Sequence, residues 1–333
     1  MFSNNPKSKF RRLAIRLFTA LLAFCLAIGV CEIVLRLCGY YYTPLHIKLD
    51  GEQHDWRTYH AFGDEHFIYD RDLFWRPKPG LAPFNSQGYR GRVLVKEKGP
   101  EEFRIFTIGD SNTLGWAGKE DDANWPRSLE LLFADSEKDV VVVNAGVWGY
   151  SSFQGVRRLK EILPFEPDMV LISFGSNDAF MVDSSDAEFA DRVVTFPLFN
   201  TRCGQLLLAA RERLFSLRDP PGKEDLVFRV NLEEYVENIS EMARIAKENG
   251  ITCIFLTRPF IGSSHTELWW KDFAPDYVTA TLDTAKKLDL PAIDVYEEFK
   301  DKEDLFDNES HFTKEGHQKA AEFIYEKINP LVQ

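Results

Sequence analysis

Cysteine is scarce and poorly spaced for its usual structural uses. Cys25, Cys31, Cys38, Cys203 and Cys253 are the whole complement in 333 residues, and no two stand in a C-x-x-C pair. That argues against a zinc site or a disulfide framework, and Cys203 and Cys253 are expected as buried free thiols. Positive charge is also sparse: the net charge is −12, and no dense Lys/Arg patch lies beyond the N-terminus. Nucleic acid is therefore not an expected partner. A phosphate cradle of the G-x-x-x-x-G-K-[ST] kind is missing after the first strand, which argues against nucleotide binding. No metal or organic cofactor is expected, and the chain carries no internal repeat or low-complexity tract. With 44% hydrophobic residues it can bury the core of one α/β domain of ~200–250 residues.

What is present begins at the N-terminus. Lys7, Lys9, Arg11, Arg12 and Arg16 precede a run from Leu17 to Leu35 that is apolar except for Thr19 and Glu32. As a helix this run spans ~28 Å, close to the ~30 Å hydrocarbon core of a bilayer. Glu32 lies one helical turn before Arg36, near the far interface. The charge asymmetry predicts a cytoplasmic basic tail (1–16), a transmembrane signal anchor (17–38), and the rest on the extracytoplasmic, periplasmic side. A cleaved signal peptide would want a shorter apolar core and small residues at its end. A lipoprotein would want a small residue before its cysteine, where Phe24, Val30 and Leu37 stand instead.

Residues 39–100 are rich in aromatics, Gly and Pro, and read as a juxtamembrane accessory region of turns and short strands. From residue 101 to 333 short β-rich runs alternate with helical ones. Phe103–Ile108, Val140–Val143, Met169–Phe174, Ile251–Leu256 and Ala292–Val295 suit parallel strands buried on both faces. Asn231 opens a helix with Glu234 as its capping-box partner, and Gly250 closes it. A last helix is expected from Thr313 to Ile328. The alternation predicts a three-layer α/β/α domain, interrupted by an insertion at 179–230 with a helical patch at Leu206–Leu217.

Chemistry-bearing residues stand at the strand ends. The first strand runs into Gly109-Asp110-Ser111, which places a serine hydroxyl and its own N–H at a helix start. The second ends in Val147-Trp148-Gly149-Tyr150, where Gly149 can offer an unobstructed N–H. The third ends in Gly175-Ser176-Asn177-Asp178, where the Asn177 amide can donate. His311 stands just before the last helix, flanked by Asp307, Asn308 and Glu309. Of the other histidines, His265 after strand four is a weak competitor, and His317 is expected on the surface of the last helix. In a doubly wound sheet the first three loops share one rim. Ser111, Gly149 and Asn177 therefore converge as a nucleophile with three oxyanion donors, the Ser111 N–H among them.

These four blocks resemble those of the SGNH (GDSL) hydrolase superfamily in order, spacing and strand context, over residues 103–325. The Phe84-Asn85 and Gly88-Tyr89-Arg90-Gly91 segment is similar to that of membrane-anchored bacterial members. The G-x-S-x-G elbow of α/β-hydrolases is absent. The resemblance implies a flavodoxin-like fold with a five-stranded parallel sheet, and hydrolysis of acyl esters such as O-acetyl groups on carbohydrate or acyl chains on lipid. It implies Ser111 as nucleophile, His311 as base, and Gly149 and Asn177 as oxyanion donors. One position departs from the pattern, since Asn308 stands where the family has Asp. A bulge that brings Asp307 to His311 is the expected remedy, with Glu309 less suited and a Ser–His dyad whose imidazole is oriented by a backbone carbonyl as the third possibility. The same residues would serve an O-acetyltransferase, and a non-catalytic glycan-binding protein could keep the fold.

Overall fold

The computed structural model describes residues 6–40, 48–49, 52–53, 66–115, 124–182, 184–194, 201–215, 226–261 and 272–332. His265 and the end of the Leu206–Leu217 patch, residues 216–217, lie outside them. By contacts the chain forms two compact units, one of residues 1–45 with 192–219, the other of 46–191 with 220–333.

The first unit is built on α1 (Pro6–Leu37), whose stretch Phe10–Leu37 is long and apolar enough to cross a membrane. Glu32 accepts from Arg36 Nε at 2.7 Å, one turn on, as the spacing predicts. It also accepts from the backbone N–H of Cys203, at 2.9 Å, at the start of the Arg202–Phe215 helix. A helix leaves its first N–H groups without internal partners, and the acidic residue inside the apolar run satisfies one of them. The helical patch of the insertion thus packs beside α1.

The second unit contains a hairpin, β1 (Phe67–Asp70) with β2 (Phe74–Pro77), ahead of the main sheet. The sheet strands follow as β3 (Glu102–Gly109), β4 (Asp139–Asn144), β5 (Met169–Ser173), β6 (Thr252–Leu256) and β7 (Ala292–Ile293). They pair in the order β7-β6-β5-β3-β4, all parallel. Counted along the domain this is 2-1-3-4-5, the flavodoxin-like order, and its switch point lies where β4 and β5 flank β3. Observed strand ends differ from the expected ones by a residue or two. Val295 leaves the last strand because Asp294 caps a short helix there, accepting from the Glu297 N–H.

Both sheet faces are covered. Ile105, Val142, Leu171, Ile254 and Leu256 pack with Leu129, Ile324 and Ile328 from the helices Trp125–Leu132 and Lys314–Val332. Phe106, Val141, Val143, Val170, Ile172 and Phe255 are buried as well, on the side of the helices Ser152–Ile162 and Leu232–Glu248, as period-2 alternation requires. Each such side chain contributes ~1.5–3 kcal/mol by burial. The Asn231–Glu234 capping box forms as read. All five cysteines are free thiols, and Cys253, buried in β6, has its thiol pushed up to about 12 by desolvation.

One expectation is corrected in the last helix. His317 is buried, not on the surface, because this helix lies against the one that starts at Trp125 and whose backbone N–H donates to His317 Nδ1 at 3.3 Å. Burial disfavours the imidazolium and takes its pKa down to about 3, so this histidine stays neutral and structural.

Candidate active site

The nucleophile turn is shaped by what cannot fit beside it. A Cβ on Gly109 would lie 2.2 Å from Thr113 Oγ1 and 2.7 Å from the Ser173 carbonyl, so only glycine lets β3 end against β5 and turn at once. Asp110 caps the short Ser111–Leu114 helix by accepting from the Asn112 N–H at 2.8 Å. The cap takes the Asn112 N–H and leaves that of Ser111, the first of the helix, for the site. Ser111 is half-buried.

His311, the candidate base, comes from the far end of the chain. A small antiparallel pair, β8 (Phe306–Asn308) with β9 (His311–Phe312), carries His311 to the rim. Its Nε2 lies 2.7 Å from Ser111 Oγ. The expected irregularity is there, between Phe306 and Asn308, but its consequence differs from the expected one. The side-chain oxygen 2.8 Å from His311 Nδ1 belongs to Asn308, where the bulge was expected to bring in the Asp307 carboxylate. Asp307 is the exposed residue of the bulge itself. Asn308 Oδ1 also accepts from the backbone N–H groups of Ser310 and His311, each at 3.1 Å. Backbone N–H groups only donate, so the amide oxygen faces them and His311 Nδ1 must carry the proton. Nε2 then presents its lone pair to the Ser111 hydroxyl, the tautomer a general base needs. An amide in the third position lowers the rate of a Ser-His-Asp triad by imposing the wrong tautomer. Here the backbone prevents that inversion.

Asn308→Asp tests what the amide lacks. The carboxylate would keep the three acceptor contacts and add a charge beside the imidazolium. We expect kcat to rise about tenfold and the acid limb of the pH–rate profile to move to higher pH. A fall in kcat would mean that the hydrogen bonds, not the charge, limit the base.

Gly149 and Asn177 meet beside this pair. Val147 N–H donates to the Gly109 carbonyl at 3.0 Å, which ties the loop after β4 to the nucleophile turn. Gly149 adopts φ 70°, the left-handed region that suits glycine. Its carbonyl accepts from Arg229 Nη1 at 2.8 Å. Asn177 Nδ2 donates to the Tyr150 carbonyl at 2.9 Å, which joins the loops after β4 and β5 and leaves its second N–H available. Asp178, next in sequence, accepts from the Ser152 N–H and the Gly175 N–H, at 2.9 and 3.1 Å, and from the Ser152 hydroxyl. Its burial pushes the carboxyl up to about 7, against the Ser152 hydrogen bonds and Arg229, which lower it.

Several supporting residues have no local signature. Arg229 and Asp186 form a buried ion pair at 2.9 Å, both from the segment read as an insertion. Trp75 Nε1 donates to the Trp148 carbonyl at 2.8 Å, and Tyr150 OH donates to the Trp75 carbonyl at 2.5 Å. The accessory hairpin thereby braces the Gly149 loop. Arg258 stands two residues past the end of β6, in a strand-end loop like those of Ser111 and Asn177, and that placement is the available clue. Among the described residues, no cluster of three or more metal-ligating side chains occurs.

A family model described as GDSL-like Lipase/Acylhydrolase family matches residues 107–319. The chain belongs to that family. That family is described as one of lipases and acylhydrolases. An arylesterase of Vibrio mimicus is 32% identical over 76 residues, 22% of this chain and 38% of that protein, so the match spans well under half of this curated relative. Among solved structures, a lipase/acylhydrolase from Enterococcus faecalis is similar over 69% of this chain and 96% of its own, at 20% identity and a TM-score of 0.48. A GDSL-like lipase from Bacteroides thetaiotaomicron is similar over 72% and 93%, at 18% identity and a TM-score of 0.46.

Proposed function

We propose that this family member is a membrane-anchored serine esterase that works through an acyl-enzyme. The observation that carries the reading is the 2.7 Å contact from Ser111 Oγ to His311 Nε2, with the proton fixed on Nδ1 by Asn308. In the first step Ser111 Oγ attacks the ester carbonyl carbon as its proton passes to His311 Nε2. Negative charge gathers on the carbonyl oxygen, where the Ser111 N–H, the Gly149 N–H and the Asn177 amide stabilise it. The tetrahedral intermediate collapses, the alkoxide leaves with the proton from His311, and the acyl group stays on Ser111. Water then gives its proton to His311, attacks the acyl carbon, and Ser111 departs reprotonated. Asn308 stands in the third position as an orienting amide, comparable to the Asn of Cys-His-Asn sites. The substrate class is an acyl ester, an O-acetylated carbohydrate or an acyl lipid. The 1–16 tail lies in the cytoplasm and residues 39–333 on the periplasmic side, an orientation supported by the five basic residues that precede the apolar helix.

One experiment tests both halves. Membranes from cells that express the full chain are washed with carbonate and treated with a fluorophosphonate, and the labelled peptide is located by mass spectrometry. The expected result is a covalent adduct on Ser111 in the membrane pellet. An adduct confined to the soluble fraction would remove the anchor and keep the enzyme. Absence of any Ser111 adduct, with no hydrolysis of p-nitrophenyl acetate, would remove the enzyme.

A further inference from the structure

Ser111 and His311 stand 200 positions apart in the chain, yet their side chains meet at 2.7 Å. Backbone pairing within the sheet does not set that distance, because the His311 loop belongs to a separate two-stranded pairing. Something must tie the two loops together. One buried side chain touches both. Arg258 Nε donates to Asp110 Oδ2 at 2.7 Å, and its Nη1 donates to the Ser310 carbonyl at 2.7 Å. Asp110 is the residue before the nucleophile, and Ser310 is the residue before the base. The Arg258 and Asp110 side chains are only 3% and 1% exposed, so solvent barely screens the contact.

We propose that Arg258 is a positioning residue that fixes the Ser111–His311 geometry by bridging Asp110 to the Ser310 carbonyl. The inference rests on the Ser–His reading above and adds the element that holds it. A guanidinium suits the task because its donors project from one rigid plane in different directions. Its Nη1 also donates to the Pro259 carbonyl, which fixes the plane relative to the end of β6. Asn112 Nδ2 adds a second donor to the Ser310 carbonyl at 3.1 Å, and the Ile261 N–H donates to the Glu309 carbonyl at 2.8 Å. The base loop is therefore held from the nucleophile turn and from the end of β6. Among the described residues, Arg258 joins the two anchors through one side chain. A small shift between Ser111 Oγ and His311 Nε2 impairs proton transfer steeply, because the reaction needs a hydrogen bond already formed.

The test is a double-mutant cycle on the full chain, with p-nitrophenyl acetate as substrate. Arg258→Lys keeps a positive charge near Asp110 but cannot reach both acceptors. In the wild-type background it is expected to lower kcat about 30-fold with KM changed less than threefold, and to slow fluorophosphonate labelling in parallel. In a His311→Ala background the same substitution should change the residual rate by less than twofold, since the clamp acts through the histidine. Equal losses in both backgrounds would make Arg258 a general structural residue and overturn the proposal, as would an unchanged kcat in the wild-type background. If Arg258→Lys does not fold, the pair Asp110→Asn with Arg258→Gln removes both buried charges together, and the same background dependence is required of it. The His311→Ala arm separates the two ideas. Full activity in that variant overturns the Ser–His reading itself, and the clamp with it.

Discussion

Alanine at Ser111 or at His311 is expected to lower kcat by about 10⁵–10⁶-fold, and alanine at both to lower it no further. The reason is that the pair acts as one unit. Ser111 Oγ is a poor nucleophile without a base, and His311 Nε2 has no proton to take without the hydroxyl 2.7 Å away. Removal of either leaves only the oxyanion donors and substrate binding, which supply the same residual rate in all three variants. Both side chains are half-buried at the rim, so alanine there leaves no core cavity, and each variant should keep the melting temperature of the parent within a few degrees. Steady-state kinetics on the three variants, together with thermal melts, check this. Additive losses in the double variant would show that the two residues act in separate steps.

Asn177→Ala is expected to lower kcat by about 10²–10³-fold while KM changes less than threefold. The amide is poised to donate to charge that exists only in the transition state, so its loss should spare ground-state binding. The geometry gives this amide two tasks. One N–H holds the Tyr150 carbonyl at 2.9 Å, which sets the loop that presents Gly149, and the other is left for the substrate oxygen. Asn177→Ser separates them, since a shorter hydroxyl can serve one acceptor and not both. A variant that raises KM and leaves kcat intact would place Asn177 in substrate binding rather than in charge stabilisation. The oxyanion assignment would then fall to Ser111 and Gly149 alone.

The fold was legible because it is written in local patterns. Runs such as Val140–Val143 and Ile251–Leu256 are apolar on both faces, which only a strand covered by helices on both sides can bury. Asn231 with Glu234, and Gly250 with its positive φ, mark helix ends by backbone chemistry that needs no tertiary context. The meeting of Ser111, Gly149 and Asn177 followed from strand adjacency in a doubly wound sheet, and the observed order places β3 between β4 and β5. His317 departs from its expected exposure because such local patterns stop short of helix packing. Helical position alone does not say which face another helix covers, and the helix starting at Trp125 covers this one.

What orients His311 could not be read from the sequence. Asp307 and Asn308 are neighbours, and a single bulge decides which of them faces the ring. The sequence by itself determined the α/β/α class, the apolar N-terminal helix, and Ser111 and His311 as the candidate pair, because each depends on periodicity or on a position at a strand end. Tertiary structure alone decided that Asn308 holds Nδ1, that Arg258 bridges Asp110 to Ser310, that Trp75 braces the Gly149 loop, and that the Arg202–Phe215 helix takes its cap from Glu32. The first hangs on a local bulge, and each of the others is a side-chain hydrogen bond between segments that only the folded chain brings together. A hydrogen bond is fixed by tenths of an ångström and by the direction of a lone pair, and neither is encoded in residue spacing.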